Sequence, residues 1–247
     1  QYTNINICIL ESGNRENRIR KTWSYSDIYQ HPFAKLEYNS LSDIYCINNS
    51  FPIKLNCESH NYRSIDSRQF DKHMFDKISL SKNIDIVFDI CVDEIIAGTK
   101  YIQIKSNNII YEAKEVYDSR PDNIKASMYQ VFLGYYINAI PPIDKVMPKL
   151  MDFTQDNEFS FYYVLPFKDN SCLVEYTFFT PTVHSSEELK SNLDSYIKDA
   201  IGQYKLIRSE YGVIPMSPNL PEQDHVKNVY KIGIRSGATR ASTGYTF

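Results

Sequence analysis

Apolar and polar positions along the chain alternate with two different periods. Phe159–Phe167 and Cys172–Phe179 are apolar and aromatic runs separated by the polar turn Lys168-Asp169-Asn170-Ser171. Such a pattern predicts a β-hairpin closed by Asp-Asn turn chemistry. Along its second strand Cys172, Val174, Tyr176 and Phe178 share one face, and Leu173, Glu175, Thr177 and Phe179 the other. Gln130–Ile140 (QVFLGYYINAI) predicts a central strand of the same sheet, stopped by Pro141-Pro142, which cannot donate to a ladder. Between Ser185 and Ile201 the period becomes helical. Leu189, Leu193, Tyr196, Ile197 and Ile201 form the apolar face, Ser185 or Ser186 caps it, and Glu187 and Glu188 suit its N-terminal dipole.

Weaker patterns fill the rest. INICILE (5–11) predicts a buried strand ending in an acid, and Ser64–Ser79 a helix capped by Asp66 or Ser67 with Phe70, Met74 (or His73) and Ile78 inward. Residues 28–60 give only short strand-like pieces, Ile44–Ile47 and Ile53–Asn56. Asp85–Ile90, Glu94–Ala97, Lys100–Ile104 and Asn108–Tyr111 predict an antiparallel meander turning at Gly98 and Ser106-Asn107. Ala113–Tyr117 reads as a short strand running into Asp118-Ser119-Arg120-Pro121, and Tyr204–Met216 and Val229–Ile234 as strands around a loop marked by Pro218 and Pro221.

Composition narrows the function classes. The 247 residues suit one large domain or two small ones, and 43% hydrophobic content is enough for a packed core. Basic residues are scattered among acids at a net charge of −3, so no nucleic-acid footprint is expected. Five cysteines (Cys8, Cys46, Cys57, Cys91, Cys172) without a CxxC pair point to reduced thiols in the cytoplasm. His31, His60, His73, His184 and His225 are isolated, which argues against a metal site, and no GxSxG points to a serine hydrolase. No run reaches the roughly 18–20 apolar residues of a membrane-spanning helix, and no secretory leader is recognisable. The 20 tyrosines and 14% aromatic content suit a pocket for a large apolar ligand or a membrane-interface belt, and equally an ordinary core.

Several residues carry candidate chemistry. Glu175 is a lone carboxylate with mostly apolar same-face neighbours. Desolvation there would raise its pKa and suit a proton donor, while an edge-strand Glu reaching solvent fits the same pattern. Glu11 ends its strand as the ribose-binding acid of dinucleotide folds does, although no GxGxxG precedes it. Arg120 offers a forked donor to a phosphate or carboxylate and Asp118 an acceptor for a hydroxyl; a local ion pair between them is the plainer alternative.

MDFTQ…FYYVLPF…CLVEYTFFTP resembles the central segment of the lycopene cyclases, the flavin-dependent family that closes the ionone rings of carotenoids. The resemblance extends to EYGVIPM (Glu210–Met216), the final IGIRSGATRASTGYTF, VYDSRP (116–121) and RKTWSYSD (20–27). It implies a mixed α/β fold in which a Rossmann-like FAD/NAD(P)-binding domain carries an antiparallel substrate-binding sheet, as in flavoprotein hydroxylases. Residues 1–128 would form the flavin domain, 129–230 the substrate sheet with helix 185–201, and 231–247 a return to the flavin domain. Both ends read as cut, with the glycine-rich turn upstream and further chain downstream.

By the same resemblance Glu175 is the essential carboxylate of the central strand. Thr22 and Trp23 would lie near flavin or substrate, Trp23 being equally a surface residue packed under its loop. Glu210, in Glu-x-Gly-x-Ile-Pro, would be a second acid or a loop anchor. Asp118 and Arg120 would lie near the flavin's linking chain, and Gly237, Thr243 and Gly244 in the loop presenting backbone N–H groups to the ring. Many flavoproteins have Gly-Asp there; this chain has Gly237-Ala238. The implied activity is acid-catalysed cyclisation of lycopene by an isomerase that uses reduced FAD without net redox change, with NADPH as reductant. Such an enzyme would be cytoplasmic and peripherally membrane-associated. The alternatives are a flavin-dependent monooxygenase on the same fold and a cofactor-free partial gene product.

Overall fold

The computed structural model describes residues 5–16, 18–48, 51–55, 60–120, 126–141, 146–153, 159–218 and 226–245. Positions 56, 57, 121, 142, 221 and 225, named above, lie outside those described. The fold is mixed α/β, with strands far outnumbering helices among the described residues.

The first part of the chain gives β1 (Ile7–Leu10), β2 (Thr22–Ser26), β3 (Glu37–Leu41), β4 (Ile44–Asn48), β5 (Phe51–Leu55), β6 (Tyr62–Asp66) and α1 (Ser67–Ser79). The helix therefore starts three residues later than its apolar pattern suggests. Residues 62–66 pair with β2 and β3, and Asp66 becomes the N-cap, accepting from the Arg68 N–H at 2.9 Å. Next come β7 (Ile84–Val87), β8 (Glu94–Ala97), β9 (Ile102–Ser106), β10 (Ile109–Ala113) and β11 (Val116–Asp118). Only β8, β9 and β10 form the antiparallel meander; β7 instead runs parallel to β1, with Ile7 opposite Ile84. Among the described residues β1 pairs with β7 alone, and Ile7 and Ile9 are 46% and 37% exposed, not buried as the apolar run suggests.

The second part gives β12 (Met128–Ile140), β13 (Lys149–Phe153), β14 (Ser160–Pro166), β15 (Ser171–Thr180), α2 (Ser186–Ala200), β16 (Gln203–Met216) and β17 (Val229–Lys231). These build a seven-stranded sheet in the order β16-β12-β15-β14-β13-β4-β5. The β14–β15 hairpin turns through Asn170 at φ 63°, a conformation Asn tolerates better than most residues. β4 and β5 come from the first 128 residues yet extend this sheet, β4 running parallel to β13. In turn β17 pairs in parallel with β11, so the late chain returns to the early one.

One face of the large sheet holds the main core. Val131, Leu133, Tyr135 and Ile137 of β12, Cys172, Val174, Tyr176 and Phe178 of β15, and Tyr162 and Val164 of β14 pack against Leu189, Leu193, Tyr196 and Ile197 of α2. The helix enters through a capping box: the Ser185 N–H donates to Glu188 Oε2 at 2.6 Å. Fixing α2 here commits the alternate side chains of β12, β15 and β16 to the opposite face. Leu193 is fully buried at the centre of this layer. Leu193→Ala is expected to lower the unfolding free energy by about 2–5 kcal/mol, measured by urea denaturation.

Candidate functional site

The face opposite α2 carries polar and ionisable side chains in register. Glycine 134 on β12 stands opposite Glu175 of β15 on one side and Glu210 of β16 on the other. Tyr163 of β14 stands opposite Glu175, so Tyr163, Glu175, Gly134 and Glu210 form one row across four strands. Cross-strand partners share a face and approach closely. A Cβ at position 134 would lie 3.1 Å from Leu173 Cδ1 and 3.4 Å from both Glu175 Oε2 and Glu210 Cγ. Within a strand of bulky residues, the missing side chain leaves a notch into which both acids lean.

A β-bulge puts Glu210 in that row. From Ile140↔Gln203 to Ile137↔Leu206 the β12–β16 register is constant; it then shifts by one residue, skipping Ile207, to Tyr136↔Arg208. Without the shift Gly134 would face Ser209, and Glu210 would project into the α2 core.

The two carboxyls have different surroundings. Glu175 Oε1 accepts from the Thr177 hydroxyl at 3.0 Å. The side chain lies deep among protein atoms yet keeps partial contact with solvent. Burial, followed by the nearby Glu210, pushes its pKa up from 4.5 to about 8 against the opposing pull of Thr177 and Lys21. Glu210 is buried but better supplied with donors. Its Oε2 accepts from the Thr22 N–H at 3.2 Å and from Arg208 Nη1 at 3.3 Å. Burial raises its pKa, and Arg208, Lys21 and the Thr22 N–H oppose that rise. Arg208 also donates to Thr22 Oγ1 at 3.0 Å and lies 3.4 Å above the centre of the Tyr136 ring. Lys21 Nζ donates to the Tyr211 carbonyl at 2.6 Å.

Tyrosines close the site around Glu175. The hydroxyls of Tyr62 and Tyr163 both hydrogen-bond to Tyr245, and burial pushes both phenols well above their ordinary pKa, so they are neutral donors. The turn carrying Tyr245 is held down by Gly244, which packs against the Gln130 side-chain oxygen at φ 72°. That conformation and that contact together require glycine.

The structure thus brings Glu175, Glu210 and Thr22 together, with Gly244 beside them through Gln130. The other candidates make their contacts elsewhere. Trp23 points to the opposite side of β2 from Thr22, is 44% exposed and meets Phe70 edge-on at 5.2 Å. Glu11 accepts from the Gly13 N–H at 2.8 Å and pairs with Arg18 at 2.6 Å. Burial alone would raise its pKa; Arg18 and Gly13 outweigh that and hold it below the usual carboxylate range. Asp118 is buried, and Arg120 embraces it through Nε at 3.0 Å and Nη2 at 2.9 Å, with Arg235 Nε at 3.2 Å. Desolvation opposes its ionisation, but the two guanidiniums prevail and lower its pKa. Gly237 ends the 3-10 turn Gly233–Ser236 in the left-handed conformation, and exposed Thr243 accepts from the Tyr245 N–H at 3.5 Å.

Sequence reasoning passed over Gly134, Lys21, Arg208, Thr177, Tyr163 and Tyr245. Two of them carried a signal: Arg208 stands two residues before Glu210 on the same strand face, and Gly134 is the lone glycine among bulky residues of β12.

A family profile described as "Lycopene cyclase protein" matches residues 1–247. The chain belongs to the lycopene cyclase family. No curated protein sequence matches it. Solved structures share its fold at low identity. One is a geranylgeranyl bacteriochlorophyll reductase-like protein from Thermoplasma acidophilum, at TM-score 0.72 and 15% identity over 98% of this chain and 73% of that one. Another is p-nitrophenol 4-monooxygenase from Pseudomonas putida, at 0.64 and 12% over 94% and 67%. A third is a probable FAD-dependent monooxygenase from Pseudomonas aeruginosa, at 0.60 and 11% over 97% and 74%. The fold is therefore that of flavoprotein reductases and monooxygenases, and in this chain it carries a pair of acids, Glu175 and Glu210, on the face of its large sheet.

Ionisation of Glu175 also sets a pH dependence of stability. Below pH about 4.5 the folded and unfolded chains both hold the proton, and burial of the neutral acid costs little. Between about 4.5 and 8 the unfolded chain gives up the proton while the folded one retains it, so stability falls as pH rises, and above about 8 the loss is complete. Glu175→Gln removes this loss. Its stability relative to the parent is expected to climb by about 2–4 kcal/mol between pH 5 and pH 9 in parallel denaturation series. A difference that stays constant with pH would contradict a proton held on Glu175.

Proposed function

We propose that the protein is a lycopene cyclase acting on the ends of a linear carotenoid, with Glu175 as the proton donor. The observation that carries this reading is a carboxyl whose proton affinity is raised by burial and by Glu210 on the face of the central sheet opposite α2, at the position that the resemblance to the family implies for its essential carboxylate. Protonated Glu175 transfers its proton to the terminal double bond of the chain. The carbocation closes onto a neighbouring double bond to form the ring, and a proton leaves the ring carbon for the Glu175 carboxylate. The proton is regenerated and no electrons are gained or lost. Neutral tyrosines around the acid and partial exclusion of water favour a cation that water would otherwise capture. Thr177 orients the donor through Oε1, leaving Oε2 toward the Gly134 notch.

The residues fit a flavin. Gln130 Oε1 is a buried acceptor without a donor among the described residues, beside the Gly244 turn, and a flavin ring carries an N–H that would satisfy it. Gln130 and the backbone of 237–244 would hold the ring, with Glu11 and the Asp118–Arg120 pair toward its nucleotide end. Bound as reduced FAD, with NADPH as the source of electrons, it supplies an electron-rich ring that stabilises positive charge. A membrane-dissolved substrate calls for contact with the membrane surface from the cytoplasmic side. Ile19, Trp23, Ile28 and Tyr29 are exposed on the stretch that carries Thr22 into the site, which supports that contact.

Pigment analysis in a lycopene-accumulating bacterial host tests the reading. The protein is expected to yield monocyclic or bicyclic carotenes, and Glu175→Gln to lower ring closure at least 100-fold while preserving the fold and flavin absorbance. Parent-like turnover in that variant would remove Glu175 from the chemistry. Untouched lycopene together with NADPH consumption would favour the monooxygenase reading. Because the donor must be protonated, activity is expected to fall as pH rises through about 8.

A further inference from the structure

We propose that Glu210 is a positioning residue for Glu175: anchored by Arg208 and Thr22 across the Gly134 notch, its carboxylate keeps a negative charge beside Glu175 and thereby keeps the proton on it. The inference rests on Glu175 being the proton donor. Its geometry is independent of the reaction.

Three observations carry it. Glu175 Oε2 and Glu210 Cγ each lie 3.4 Å from the point where a Gly134 Cβ would be, so the two side chains are no more than twice that distance apart, across a notch that Leu173 Cδ1 flanks at 3.1 Å. The donors are distributed unequally. Glu210 has a guanidinium at 3.3 Å and a backbone N–H at 3.2 Å, whereas among the described residues Glu175 has only the Thr177 hydroxyl. When two close carboxyls share one proton, the better-solvated one ionises and the other retains it. Finally, the β-bulge at Ile207 brings Glu210 onto this face at all.

The groups facing Glu175 from the packed elements leave Glu210 as the anionic one. Tyr163 from β14 and Tyr62 from β6 are neutral phenols, both hydrogen-bonded to Tyr245 of the last turn, and Arg208 on β16 is paired with Glu210. Lys21, preceding β2, favours an ionised Glu175 and so works against Glu210. Gly134 has no side chain to separate the two acids, so its role is to keep them coupled.

The test follows the carboxyl infrared band of Glu175 against pH, assigned by its loss in Glu175→Gln, alongside the pH profile of ring closure. In Glu210→Gln, which keeps an oxygen for Thr22 and Arg208, the ionisation midpoint of Glu175 is expected to drop by about one pH unit. The alkaline limb of activity is expected to move with it. Glu210→Asp draws the charge back by one methylene and is expected to give an intermediate midpoint. An unchanged midpoint in Glu210→Gln overturns the proposal; if that variant does not fold, a midpoint in Glu210→Asp equal to the parent's does so. A shifted infrared midpoint without any ring closure in the parent would sustain the carboxyl pair and reject the cyclase reading instead.

Discussion

A buried charge next to a buried proton is the constraint around which the rest is arranged. Two carboxyls drawn out of water cannot both ionise cheaply, and each unpaired one costs several kcal/mol. Arg208, stacked on Tyr136 and bonded to Thr22, holds Glu210 on one side of the Gly134 notch, and Thr177 holds Glu175 on the other. The stability that tolerates this arrangement comes from the opposite face of the same strands. There β12, β14 and β15 bury an unbroken apolar layer against α2. One set of strands thus divides the work by alternation, odd positions of β12 for the core and even ones for the site.

The parts of this design that were legible in the sequence are those written in local periodicity. The β14–β15 hairpin and α2 each stand on a run of repeated spacing with turn or cap residues at the ends, and the structure has them within a residue or two. The alternation that sets Glu175 apart from Cys172, Val174, Tyr176 and Phe178 is equally local. The fold class and the family followed from motifs spread over the chain.

What the sequence did not disclose depends on pairing between distant strands. The proximity of Glu175 and Glu210 requires two ladders on β12, and one of those ladders changes register at Ile207. No periodicity within β16 marks the skipped residue, and a one-residue error would move Glu210 to the wrong face. The same limit explains β7, whose apolar run suits a meander until its parallel pairing with β1 is known, and β4, whose weak pattern hides its place beside β13. It explains the exposure of β1 as well: an apolar run specifies a strand, while burial depends on what covers it.

The feature that would suit Glu175 to act as an acid is the one that makes it costly. A strand core optimised for stability alone would place a hydrophobic residue there, and an edge carboxylate would be ionised at neutral pH and unable to donate a proton. Removal from water and a nearby negative charge both raise the proton affinity, and each of these lowers folding stability as pH rises. The glycine at 134 adds to the cost, since a strand interior loses side-chain packing and backbone order at such a position. Three destabilising choices meeting at one row of four strands, directly behind the apolar layer packed on α2, are difficult to explain as packing and simple to explain as chemistry.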